Sequence, residues 1–179
     1  MAVIVVDMIK DNVMSEEFGA IVPNIKKFLG ECRKRGIPII FANDSFLPQD
    51  PLFNYMPLHA IRGTPGVEVI DDLKPERGDL VLEKRRFSAF FKTDLDMTLR
   101  SLNVDTVAIC GIATHVCVLF TAGDAVSYDF SVILVEDCCA SHKREIHEMI
   151  LSIYGKLPII QILKSEDVIK TLEEGRSNR

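Results

Sequence analysis

No stretch of this 179-residue chain approaches the roughly 18 unbroken apolar residues that a membrane span requires. The succession of basic, apolar and small residues that marks a secretory leader is missing as well, because residues 1–6 run straight into Asp7. Both absences predict a cytoplasmic protein that does not engage a membrane. There is no basic excess either. Lys and Arg number 21 against 26 Asp and Glu, a net charge of −5, which argues against a nucleic-acid partner. The cysteines are 5, an odd number, with Cys138 and Cys139 adjacent and no Cys-x-x-Cys. Neither a disulfide framework nor a structural zinc site is expected from them. Three catalytic signatures are also lacking. Without G-x-G-x-x-G, G-x-x-x-x-G-K-[ST] or G-x-S-x-G, the dinucleotide, P-loop and serine-hydrolase readings lose their support.

What is present is 47% hydrophobic and 26% charged, the composition of a soluble globular protein. The length fits a single domain over 1–179, able to bury about 70% of its unfolded surface. Short Val/Ile-rich runs at 2–6, 37–42, 79–82, 106–110, 131–135 and 158–163 read as strands. Between them, 22–35, 93–102, 115–128, 141–153 and 165–174 carry helical spacing or helical start signals. Continuous apolar strands alternating with helices imply parallel crossovers and helices on both faces. The expected fold is a three-layer α/β/α domain with a mainly parallel sheet of about six strands. One segment stands apart: residues 43–69, rich in Pro, Asn and Asp, form a long loop after a strand end, where open α/β sheets bind ligands.

Asp7, Lys84 and Cys117 fall at the C-terminal ends of three of these strands. Parallel strands put those ends along one edge, so the three side chains can converge. Taken singly, each has a structural reading: a capping aspartate, a lysine in a solvated charge run, a buried cysteine. Together they make coherent chemistry. A thiol at a helix start beside an ammonium is expected to have a depressed pKa and to be nucleophilic. A carboxylate beside it takes the thiol proton and returns it to a leaving group, while backbone N–H groups around 111–117 stabilise an oxyanion. His142 and His147, five residues apart on a predicted helix, read as surface or packing residues, and His115 as no base for Cys117. Cys110 reads as core, Cys138 and Cys139 as packed below a strand end with one of them as an alternative lining residue of the cleft, and Phe87, Phe90 and Phe91 as wall or core aromatics.

The residues also carry a resemblance. Val5-Val6-Asp7-Met8, then Lys84-Arg85-Arg86-Phe87-Ser88-Ala89-Phe90 with Thr93 and Leu95, then Gly111-Ile112-Ala113-Thr114-His115-Val116-Cys117-Val118 with Thr121-Ala122 and Asp124-Ala125, occur in that order. Over nearly its whole length the chain resembles the isochorismatase-like cysteine hydrolases, which include nicotinamidases and carbamoyl amidohydrolases. The resemblance implies a flavodoxin-like fold, a catalytic triad of Asp7, Lys84 and Cys117, and a cis peptide between Ile112 and Ala113. It also implies an oxyanion hole from the amides of Ala113 and Cys117. The implied reaction is cleavage of a C–N bond in a small amide through a cysteine thioester, with a homodimer or homotetramer as the assembly. The alternatives are an isochorismatase-type hydrolase of another small metabolite, or a binding module with a vestigial triad.

No cofactor is required by such a triad. Met56-Pro57-Leu58-His59 and Gly63-Thr64-Pro65-Gly66-Val67-Glu68 are nevertheless similar to the nicotinamidase stretch that carries a metal histidine. The resemblance therefore places a divalent metal such as zinc at Asp44 and His59. Phe46 stands where the second histidine is expected, and two protein ligands fall short of the three of a catalytic zinc site. A weakened or absent metal follows. Ile9-Lys10-Asp11-Asn12 replaces the family's Gln-Asn-Asp-Phe, which predicts an altered pocket beside Asp7.

Overall fold

Strands with no polar alternation must be covered on both faces, and the central ones here are. In the computed structural model, which describes residues 1–177, β1 (Ala2–Val6) is buried at every residue. β2 (Ile39–Asp44) lies on one side of it and β4 (Thr106–Ile112) on the other. β3 (Leu80–Lys84) closes one edge; β5 (Ser131–Ala140) and β6 (Ile160–Leu163) extend the other. The order is β3-β2-β1-β4-β5-β6 and every pairing is parallel. The helices are α1 (Glu16–Gly19), α2 (Val22–Lys34), α3 (Leu95–Ser101), α4 (Leu119–Ser127), α5 (Arg144–Tyr154) and α6 (Ser165–Ser177). This is the three-layer, six-stranded parallel architecture the sequence predicts. Among the described residues no helix is long and apolar enough to cross a membrane.

Chain order reverses between β1 and β4, which is the switch point where such sheets open a crevice beyond their carboxyl ends. The two strands meet there very closely. Val6 pairs with Gly111, and a Cβ on Gly111 would lie 2.1 Å from the Val6 carbonyl oxygen. Only glycine fits, at φ +111.

Several boundaries differ from the sequence reading, and the differences matter for the site. β2 runs on through Asn43 and Asp44, and β3 ends on Lys84 itself, so Asp44 and Lys84 are register partners. The helix expected over 115–128 splits into a π-helical turn, Thr114–Val118, and α4. In that turn the Val118 N–H donates to the Ala113 carbonyl, five residues back. The Ile112–Ala113 peptide ahead of it is cis.

The connection from β2 to β3 has no regular periodicity and forms three short 3₁₀ turns, Pro51–Asn54, Pro65–Val67 and Asp71–Leu73. Isolated bridges tie it down at Phe46 to Ile61 and Ile9 to Val69. Beneath it Ile9, Phe46 and Ala60 form a small hydrophobic cluster of their own. Asp11 pins it further, accepting the Ala60 N–H at 2.8 Å and pressing against Gly66, where any Cβ would collide with the carboxylate.

Candidate active site

Two neighbouring strand ends supply the acidic floor of a cavity of about 450 Å³, through Asp7 and Asp44, and the end of a third, β3, supplies their buried partner Lys84. Asp7 follows β1 in a left-handed conformation, φ 55, which an aspartate tolerates better than most residues. One carboxylate oxygen, Oδ1, accepts the Asp44 backbone N–H at 2.7 Å. The other, Oδ2, lies 2.9 Å from Lys84 Nζ. The ammonium also donates to Asp44 Oδ1 at 2.5 Å and to the Arg86 carbonyl at 3.2 Å. Asp7, Asp44 and Lys84 are almost wholly buried, at 1%, 4% and 1% exposure. Cys117, in the π turn after β4, completes the group: its sulfur and the Asp7 and Asp44 oxygens all lie within 4.8 Å of one another. Asp7, Lys84 and Cys117 are thus brought together, and Ala113 borders the same cavity.

The electrostatics of this cluster correct the expectation of a resting thiolate. Burial pushes the Cys117 thiol well above its ordinary value, Asp7 and Asp44 add to the rise, and Lys84 opposes it only in part. The reason is geometric: Cys117 sits in the buried turn ahead of α4, beside two carboxylates. Its side chain hydrogen-bonds Asp7, which suits a thiol that gives up its proton only as it reacts. Burial also pushes the Asp44 carboxyl up, to about 7, with Asp7 reinforcing the shift against Lys84 and an Asn12 hydrogen bond. For Lys84, burial alone would lower the pKa. The Asp7 and Asp44 carboxyl groups, with the hydrogen bond to Asp44, overcome it and hold the ammonium protonated.

Asp44 and His59, the residues placed at a metal by resemblance, both border the cavity but do not form a zinc donor set. Asp44 is engaged by Lys84, and Phe46 offers no donor atom. The His59 ring packs edge-on against Phe46 and Phe53, with Nδ1 2.9 Å from the Pro57 carbonyl. Among the described residues, the three ligand-type side chains within reach of one another are Asp7, Asp44 and Cys117, and Lys84 already neutralises that group.

The walls are aromatic and apolar. Phe18, Phe46, Phe87, Leu52 and Met56 line them. Phe87 is therefore a wall residue, whereas Phe90 is core, packed on Tyr128 and Phe130, and Phe91 is exposed. Cys110 is core, as read; Cys138 and Cys139 are buried as well, and neither borders the cavity. His142 is exposed and packs its ring against Phe18 with centroids 4.8 Å apart, as a surface or packing residue should, and it also borders the cavity. Phe18 and Asn12 were also not singled out as wall residues. Phe18 arrives from a four-residue helix, too short to leave a periodic signal, although Ser15 caps it by accepting the Phe18 N–H.

Comparison with known proteins points the same way over most of the chain. The family model described as the isochorismatase domain matches residues 1–155. A solved isochorismatase-like hydrolase from Alkaliphilus metalliredigens is 31% identical with a TM-score of 0.90, covering 96% of this chain and 98% of that one. N-carbamoylsarcosine amidase from Thermoplasma acidophilum is 33% identical with a TM-score of 0.85, over 92% and 95% of the two chains. Pyrazinamidase of Pyrococcus horikoshii, solved in complex with zinc, is 31% identical with a TM-score of 0.82, over 91% and 98%. A buried Asp–Lys–Cys cluster at the switch point of a parallel sheet, matched along nearly the whole chain, has one family meaning: the chain belongs to the isochorismatase family and is a hydrolase.

Proposed function

We propose that the chain hydrolyses the C–N bond of a small amide through a thioester on Cys117. The observation that carries this reading is the placing of the buried Cys117 sulfur within 4.8 Å of a carboxylate, Asp7, that Lys84 holds from its other side at 2.9 Å. Cys117 attacks the amide carbonyl carbon as its proton passes to Asp7, so the S–C bond forms without a free thiolate ever accumulating. The carbonyl oxygen becomes an oxyanion, for which the amides of Ala113 and Cys117 are the assigned donors. Asp7 then protonates the departing nitrogen, the C–N bond breaks, and ammonia or an amine leaves. Water follows in the reverse sense: Asp7 takes its proton, the hydroxyl adds to the thioester, and Cys117 departs with its proton restored. Lys84 orients Asp7 throughout and offsets the negative charge of two neighbouring carboxylates.

The proposed chemistry needs no metal step, since the residues around Asp44 and His59 do not make a three-ligand site. Activity should therefore survive dialysis against a chelator.

The test is ammonia release from nicotinamide, pyrazinamide and N-carbamoyl amino acids, with Cys117→Ala measured in parallel. At least one substrate should be turned over, and Cys117→Ala should lose at least about 10³-fold while keeping its fold. Full activity in Cys117→Ala would overturn the mechanism.

A further inference from the structure

One buried polar side chain outside the reacting cluster is left without a partner. Asn43 is 3% exposed, its Oδ1 is shut off from solvent, and no donor reaches that oxygen. Buried amide oxygens are seldom left so, because burial strips away their water without replacing it. Among the described residues one other side-chain oxygen is in this position, Asp7 Oδ2, and Lys84 Nζ stands 2.9 Å from it.

Strand register shows which way Asn43 faces. It is the partner of Glu83 across β2 and β3, as Phe41 is of Val81, and register partners in a parallel pair share a face of the sheet. Asp44 and Lys84, one residue further on, meet on the opposite face. On the Asn43 side lies a second cavity, of about 510 Å³, bordered by Asn43, Val81 and Glu83. The connection from β2 to β3 supplies its other wall.

The lining of this cavity has one chemical character. Val67, Val69 and Val81 make it apolar, and Glu68, Asp71 and Glu83 set three carboxylates against the single ammonium of Lys74. Lys10 and Arg62 reach Glu68 and Glu83 from outside the lining, at 2.6 and 3.1 Å, in pairs exposed enough to yield to a competitor. Among the described residues these acids do not close into a metal-ligand group; the side chains that do are Asp7, Asp44 and Cys117. Spread carboxylates over an apolar wall suit an extended organic cation, and the amide oxygen of Asn43 lacks the N–H that such a cation carries.

We propose that this cavity is a second ligand site, which takes an ammonium or guanidinium group on a short apolar stem and receives one of its N–H groups on Asn43 Oδ1. No hydrogen bond holds the Asn43 amide, and the χ2 torsion of asparagine is broad, so the amide turns to meet the ligand at little cost. The stem lies along Val67, Val69 and Val81, and Glu68, Asp71 and Glu83 supply the counter-charge. The site is separate from Cys117, and the inference stands whether or not the chain cleaves amides.

The test is calorimetric titration of the full chain, at low salt, with n-butylammonium and n-butylguanidinium. n-Butyrate and n-butanol carry the same stem without the positive charge. At least one cation should bind with a Kd of about 1 mM or tighter, weakening as salt is added, and neither control should match it. Val81→Lys puts an ammonium into the cavity from an edge-strand residue that is 57% exposed, and should weaken cation binding at least about 10-fold with the circular dichroism unchanged. Asn43→Leu should weaken it about 10-fold through the lost charge-assisted hydrogen bond, and Glu83→Gln about 3-fold. Absence of saturable cation binding overturns the proposal, as does butyrate or butanol binding equally well. Cation affinity that survives Val81→Lys places the ligand elsewhere and overturns it too, and affinity that survives Asn43→Leu overturns the role of Asn43.

Discussion

Replacing Lys84 with methionine keeps most of the side chain's volume and removes its charge from a buried cluster. Asp7 and Asp44 are left facing each other with oxygens within 4.8 Å, at 1% and 4% exposure. At an effective dielectric of about 20, two full charges at that separation repel by about 3.5 kcal/mol. Breaking a buried ion pair from one side costs about 3–5 kcal/mol in general. Asp44, already pushed up to about 7, relieves part of the repulsion by taking a proton. The expected loss is therefore about 3 kcal/mol at pH 8, read by urea unfolding followed by circular dichroism. Asp44→Asn alone removes a partner of Lys84, but in the Lys84→Met background it removes the repulsion instead. The double variant should be more stable than the sum of the single losses implies, by about 2 kcal/mol. A loss below about 1 kcal/mol for Lys84→Met, or strict additivity in the double variant, would refute the reasoning.

Other perturbations probe separate parts of the account. Gly111→Ala forces a Cβ to within 2.1 Å of the Val6 carbonyl oxygen and should lower stability by at least about 3 kcal/mol in the same unfolding assay, or prevent folding. The Arg85 guanidinium hydrogen-bonds Asp50 and holds its carboxyl down at about 2, with the Leu47 N–H assisting. Because the folded-state value lies below the unfolded one, this stability is present above about pH 4 and is lost as pH falls toward 2. Arg85 is 43% exposed, so screening reduces the contribution to about 1 kcal/mol, which Asp50→Asn should remove at pH 7 but not at pH 2. Asp7 helps keep the proton on Cys117, so the rate of iodoacetamide labelling against pH should inflect at lower pH in Asp7→Asn than in wild type, although the variant loses turnover.

The sheet was readable because β1, most of β4 and the first half of β5 are covered on both faces and show as short continuous apolar runs, and parallel pairing then sends Asp7, Lys84 and Cys117 to one edge. Boundaries were less readable where polar residues belong to a strand. Asn43 and Asp44 look like the start of a loop, yet they are the end of β2, which brings Asp44 into register with Lys84. That single register explains why Asp44 pairs with an ammonium instead of standing ready for a metal. The protonated state of Cys117 was beyond reach for a related reason: it depends on burial and on a second carboxylate, neither of which motif spacing encodes. His142 and Phe18 reach the cavity from a strand–helix connection and a four-residue helix, segments with no periodicity to read.

The most direct test of the central claim is rapid quenching of the enzyme during amide turnover, followed by mass measurement of the peptide containing Cys117. The account predicts an increase equal to the acyl group, present in wild type and absent in Cys117→Ala, which should also release no ammonia. Ammonia released with no adduct at Cys117, at a rate that Cys117→Ala retains, would contradict it.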